Sequence, residues 1–96
     1  MNDEFINISA YKFVDLDNLT QRKEELLPLC QSLQLKGTIL LSLEGINLFV
    51  AGERKAIDEF VKFLAQRPEY SNLPIKESIS DHQPFSRMLV RLKKEI

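Results

Sequence analysis

Lys36-Gly37-Thr38-Ile39-Leu40-Leu41-Ser42-Leu43-Glu44-Gly45-Ile46-Asn47-Leu48-Phe49-Val50-Ala51-Gly52 holds all three glycines of the 96-residue chain and reads as two apolar strands hinged at Leu43-Glu44-Gly45. Ile46, Leu48 and Val50 alternate with Asn47, Phe49 and Ala51, the period of a strand. Gly45 at the bend is expected at positive φ, which glycine alone reaches without steric cost.

Outward from this hairpin the chain alternates strands and helices. Phe5 to Val14 is rich in aromatic and β-branched residues, with Ile6, Ile8 and Ala10 on one face and Asn7, Ser9 and Tyr11 on the other. Beyond Ala10 the alternation leaves a bulge or a register shift open. Asp15 to Asn18 supplies caps, and Asn18 with Gln21 resembles a capping box. A helix is expected from there to about Leu35, with Leu19, Leu26, Cys30 and Leu33 near one stripe. Pro28 predicts a kink or a helix in two pieces, and Gly37 is expected to close it. Glu53 to Gln66 has the clearest helical period, through Ile57, Phe60, Val61 and Leu64, with Asp58 placed to pair with Lys62. Pro74–Ser80 and Phe85–Lys93 read as two further strands. The order is that of a ferredoxin-like α+β sandwich, an antiparallel sheet with two helices on one face and one extra strand near the end.

Composition sets the bounds. Residues 1–96 make a single domain, 44% hydrophobic and 28% charged, that can bury a modest core without staples. The net charge of -1 offers no global attraction for nucleic acid, so any basic surface is local. No run approaches the ~20 apolar residues of a membrane span, and the acidic start Met1-Asn2-Asp3-Glu4 is unlike a signal peptide, so the chain is expected in the cytoplasm.

Titratable chemistry is sparse. The single cysteine, Cys30, falls on an apolar stripe and reads as a small hydrophobe. The single histidine, His82, sits in the polar connection Asp81-His82-Gln83-Pro84. No catalytic residue, metal site or cofactor is expected, and no small-molecule substrate. Two features could make contacts. Asn47 and Glu44 flank the bend, either as structural ties or as a contact surface. Arg87, Arg91, Lys93 and Lys94, against Glu95, form a local basic patch that either protects an edge strand or meets a phosphate backbone. No aromatic-rich platform for unpaired bases is evident in the linear sequence.

Tyr11-Lys12-Phe13-Val14, Gly37-Thr38-Ile39-Leu40-Leu41, Glu44-Gly45-Ile46-Asn47, Lys76-Glu77-Ser78 and Pro84-Phe85, with Val90 and Lys93-Lys94-Glu95-Ile96, resemble the amino-terminal acylphosphatase-like domain of the rhodanese-related tRNA uridine hydroxylases. The resemblance implies an accessory, non-catalytic domain that helps position tRNA, bound weakly, for a rhodanese domain in cis. That domain would carry the cysteine needed for oxygen-dependent hydroxylation of the wobble uridine, and this chain would be the amino-terminal fragment of the longer protein. The candidate RNA contacts are Arg87, Arg91, Lys93 and Lys94, and the family motif is Glu44, Gly45, Ile46 and Asn47. Ser42-Leu43 and Leu48-Phe49 depart from the family's usual small residues around the motif, leaving less room for close approach. Two other readings stay open: a structural module that touches no RNA, and a stand-alone acylphosphatase. The loop Val14-Asp15-Leu16-Asp17 lacks the glycines and arginine of that enzyme's phosphate loop.

Overall fold

A computed structural model describes residues 4–94. Met1 to Asp3 of the acidic amino terminus and Glu95-Ile96 of the terminal motif lie outside the described residues. The elements are β1 (Phe5–Phe13), α1 (Leu19–Ser32), β2 (Lys36–Ser42), β3 (Gly45–Gly52), α2 (Arg54–Ala65), β4 (Lys76–Ser80) and β5 (Met88–Leu92). They build one five-stranded sheet in the order β4-β1-β3-β2-β5. The ferredoxin-like expectation holds, with one difference: β4, β1, β3 and β2 are antiparallel, whereas β5 runs parallel to β2 at the edge. The segment Asp81 to Arg87 must therefore cross from one edge of the sheet to the other. Gln83 anchors it on the way, donating from Nε2 to the Ala51 carbonyl at 3.1 Å.

Alternation along the strands separates two faces. Ile6, Ile8, Ala10, Ile39, Leu41, Ile46, Leu48, Val50 and Val90 are buried in one cluster with Leu26 and Cys30 of α1 and Ile57, Phe60 and Leu64 of α2. Both helices thus cover the same face. The β1–β3 register runs unbroken from Ile6↔Gly52 to Phe13↔Gly45, so no bulge follows Ala10 and Phe13 shares a face with Tyr11.

Several local expectations are corrected. Asn18 takes a left-handed conformation (φ 49°, ψ 49°) and makes no side-chain cap, so no capping box forms. Arg22 instead reaches back to the Asp17 carbonyl at 2.7 Å and the Asp17 carboxylate at 3.0 Å. Pro28 lies inside α1 without dividing it. Its missing N–H removes the i to i−4 donor to the Glu24 carbonyl, on a residue that is exposed to water, where the loss is tolerable. Asp58 pairs with Arg54 at 3.5 Å, one turn back, and not with Lys62.

The helix also ends earlier than Gly37. The Gln34 N–H bonds the Gln31 carbonyl and the Leu35 N–H bonds the Cys30 carbonyl, the paired bonds of a Schellman motif, with Gln34 at φ 59°. A residue with a Cβ is strained in that conformation, so Gln34→Gly should raise stability by about 1 kcal/mol in urea denaturation; a lower midpoint would show that the Gln34 side chain contributes more than its backbone strain removes.

Gly37 lies within β2 at φ 139°, where a Cβ would fall 2.0 Å from the Phe49 carbonyl oxygen. Gly45 has the expected positive φ, 158°, and contact adds to its need for glycine: a Cβ would lie 2.2 Å from the Lys12 carbonyl oxygen. The bend is tied by buried Ser42, whose Oγ accepts from the Glu44 N–H at 2.9 Å.

Candidate nucleic-acid interface

The carboxyl-terminal basic residues lie on or beside the edge strand β5. Only Arg91 is within it, opposite Leu40 of β2, because β5 is shorter than the alternation from Phe85 to Lys93 suggests. Arg87 precedes the strand and accepts the Gly37 N–H at its carbonyl (3.0 Å), while Lys93 follows and donates its N–H to Leu41 O (2.7 Å). Backbone hydrogen bonding to β2 therefore runs on past both ends of β5, with Lys94 next in sequence. All four side chains belong to exposed residues, and none forms an ion pair among the described residues.

The other three arginines contrast with these. Arg22 binds Glu69 at 2.5 Å and Asp17 at 3.0 Å, Arg54 binds Glu77 at 2.9 Å, and Arg67 binds Glu25. Arg22 holds the Glu69 carboxyl below its usual range, and Arg54 does the same to Glu77. Arg22 also donates to the Tyr70 hydroxyl at 3.1 Å, joining α1 to the α2–β4 connection. These guanidiniums are neutralised, whereas positive charge on and around β5 is left facing water. Such charge protects an edge strand and is equally available to an anion.

The motif residues are not gathered into one site. Ile46 is in the core, Gly45 is buried against β1, and Glu44 is exposed at the turn, where its carbonyl accepts the Val14 N–H at 2.9 Å. Asn47, half-buried, lies opposite Tyr11 and Leu40 on the face away from the helices. It makes no side-chain hydrogen bond among the described residues, so the tie expected of Asn47 is supplied by Ser42.

That helix-free face carries a feature not apparent in the linear sequence. Tyr11, Phe13 and Phe49 are 42%, 67% and 47% exposed on it, and the Tyr11 and Phe13 rings meet edge to face at 5.0 Å. The expectation that aromatic residues do not gather is therefore corrected: β1–β3 pairing sets Ser9 opposite Phe49 and Tyr11 opposite Asn47, making Tyr11 and Phe49 diagonal neighbours. Of the two departing residues that follow the motif, Leu48 points into the core and Phe49 onto this face.

The cysteine and the histidine do not come together among the described residues. Cys30 is buried in the core, and desolvation pushes its thiol up to about 12, which removes the thiolate. His82 is exposed and its ring meets its neighbour Asp81, Nδ1 to Oδ1 at 2.8 Å. Among the described residues no group of three His, Cys, Asp or Glu side chains could hold a metal ion, and no helix is long and apolar enough to cross a membrane. The loop after β1 is unsuited to phosphate. Its Val14 and Leu16 N–H groups are bonded to the carbonyls of Glu44 and Leu43 at 2.9 and 3.2 Å, and Asp15 and Asp17 are exposed beside them. Benzoyl phosphate should accordingly be hydrolysed at its uncatalysed rate in the presence of the chain. A faster rate that disappears on changing a residue of the Val14–Asp17 loop would overturn this.

The family model described as UPF0176 acylphosphatase-like domain matches residues 5–96. The chain is 55% identical over 93 residues to a tRNA uridine(34) hydroxylase of Ralstonia nicotianae, covering 97% of this chain and 33% of that protein. It is 53% identical over 95 residues to the tRNA uridine(34) hydroxylase of Burkholderia thailandensis, covering 95% of this chain and 32% of that protein. It thus spans about a third of the length of these relatives. Among solved structures, an acylphosphatase from Coxiella burnetii superposes with a TM-score of 0.60 at 15% identity, over 94% of this chain and 93% of that one. The BlrP1 BLUF structure gives 0.74 at 12% identity, over 95% of this chain and 64% of that one. Similarity at these identities is one of fold.

Proposed function

We propose, for a chain that belongs to the family of UPF0176 acylphosphatase-like domains, that it is a non-catalytic accessory domain of a tRNA uridine(34) hydroxylase and helps to hold tRNA. The remaining two thirds of such a protein would hold a rhodanese-like domain that performs the oxygen-dependent hydroxylation, in the cytoplasm. The observation that carries this reading is the split among the basic residues: Arg22, Arg54 and Arg67 are engaged by carboxylates, while Arg87, Arg91, Lys93 and Lys94 are exposed without acidic partners among the described residues. Four cations on and beside one strand offer phosphate contacts without reading bases, which suits a domain that orients its substrate while another part selects the uridine. Titration of tRNA against the 96-residue chain tests this, with a dissociation constant of about 10⁻⁴ to 10⁻⁶ M expected for contacts of this kind. Absence of binding at low salt would contradict it.

A second reading, a structural module that packs against the catalytic domain, has support at the hairpin end of the sheet. There Leu43 and Phe13 are 62% and 67% exposed side by side.

A further inference from the structure

We infer that the helix-free face of the sheet, centred on Tyr11 and Phe49, stacks the unpaired bases of single-stranded RNA. The inference deepens the tRNA reading above and rests on it: the basic residues around β5 would hold phosphates, and this face would hold the bases of a loop.

Three observations select this occupant. Tyr11 and Phe49 stand on β1 and β3, adjacent inner strands of the sheet, and both rings are exposed. With Ser9, Asn47, Pro74 and Lys76 they line an open depression of about 300 Å³. A four-stranded sheet carrying exposed aromatic rings is one of the recurring ways in which proteins stack two or three bases, and β4-β1-β3-β2 forms four neighbouring antiparallel strands here. Asn47 adds an amide beside the rings, with both donors and its acceptor unengaged among the described residues, suited to a base edge.

Charge then separates RNA from a protein surface as the occupant. Strand alternation puts Lys36, Lys76 and Arg91 on this face, opposite Ala51, Ser9 and Leu40. No strand residue on it is acidic. The only carboxylate in the five strands, Glu77, alternates to the other face, where Arg54 of α2 holds it. Aromatic rings with Lys76 beside them and Lys36 and Arg91 on the same face are complementary to a strand of bases joined by phosphates. Phe13 fits less well, because Asp15 and Glu44 border it at the turn, so the two inner rings carry the inference.

The test uses the 96-residue chain with an oligouridine of about ten nucleotides, within the span that one small domain covers, and an RNA duplex for comparison. Since the chain contains no tryptophan, Phe49→Trp places a single indole in the depression. Oligouridine should quench its emission and the duplex should not. Tyr11→Ala and Phe49→Ala should each weaken oligouridine binding about 5- to 150-fold, leaving the salt dependence unchanged, because a ring removes stacking and no phosphate contact. Both residues are about half exposed, so thermal midpoints near that of the native chain are expected, and Phe49→Trp should retain the affinity that Phe49→Ala loses.

Unchanged oligouridine binding in both alanine variants would overturn the inference, and so would equal quenching by the duplex. In that event the rings would be left to cover another protein domain. If tRNA still binds with the native salt dependence while the alanine variants have no effect, the accessory reading survives and the stacking fails. Loss of affinity in the alanine variants, with no effect of changing Arg87 and Arg91, would be the reverse outcome.

Discussion

Replacing Gly37 with alanine should remove a large part of the stability of this domain. Gly37 lies in β2 between Val50 of β3 and Met88 of β5, at φ 139°, a conformation that residues with a Cβ rarely adopt. The added methyl would lie 2.0 Å from the Phe49 carbonyl oxygen and 2.8 Å from the Val50 Cα, both backbone atoms of a central strand that cannot turn aside as a side chain does. Strain of ~1–3 kcal/mol and overpacking of a similar size add to about 3–5 kcal/mol. That compares with the roughly 5–15 kcal/mol that holds a small domain folded. The thermal midpoint should fall by about 15 °C or more, at ~4–8 °C per kcal/mol for a chain of this size. Gly52→Ala is the control. Its Cβ would meet Leu35 Cδ2 at 2.4 Å, the far end of a side chain that can rotate, so the loss should be about 1 kcal/mol. An unchanged midpoint for Gly37→Ala would mean that the β2–β3 pairing is not as close as the structure has it.

Much of this architecture is legible in the residues themselves. Ile57, Phe60, Val61 and Leu64 define the core-facing stripe of α2 by spacing alone, with Val61 partly buried, and alternation from Ile46 to Val50 sorts β3 into a core face and an open face. The turn at Leu43-Glu44 and the order of elements follow from the same signals. What the linear chain conceals is set by contacts distant in sequence or by backbone states its residues do not advertise. Gln34 and Asn18 adopt left-handed conformations that propensity assigns first to glycine, so the end of α1 is misplaced and its cap is misread. The direction of β5 depends on how the segment from Asp81 to Arg87 crosses the sheet, which no local pattern encodes. Tyr11 and Phe49 become neighbours only through the β1–β3 register, so a search for clustered aromatics along the chain passes over them. In the loop after β1 the acidic residues are visible in the sequence. The engagement of its Val14 and Leu16 amides by the Leu43-Glu44 turn is not.

The basic patch is the case in which composition misleads most. A net charge of -1 hides a division of labour in which carboxylates on α1, α2, β4 and the connections neutralise Arg22, Arg54 and Arg67, and the cations around β5 are left unpaired among the described residues. Each phosphate contact made by such a cation contributes roughly 0.7–0.9 to the slope of log affinity against log salt, so the four together predict a slope near -3. Arg87→Gln with Arg91→Gln should lower its magnitude by roughly 1.4–1.8 and weaken binding by a similar factor for any tRNA, since phosphate contacts carry no sequence information. Both residues are exposed, so the double variant should fold as the native chain does.

The salt titration of tRNA binding, run in parallel on the native chain and on Arg87→Gln/Arg91→Gln, therefore measures the central claim directly. Two lines of different slope, separated by roughly the contribution of two phosphate contacts, are the predicted result. Coincident lines, or no binding by either protein at low salt, would contradict it and leave β5 as a charged edge that only keeps other strands away.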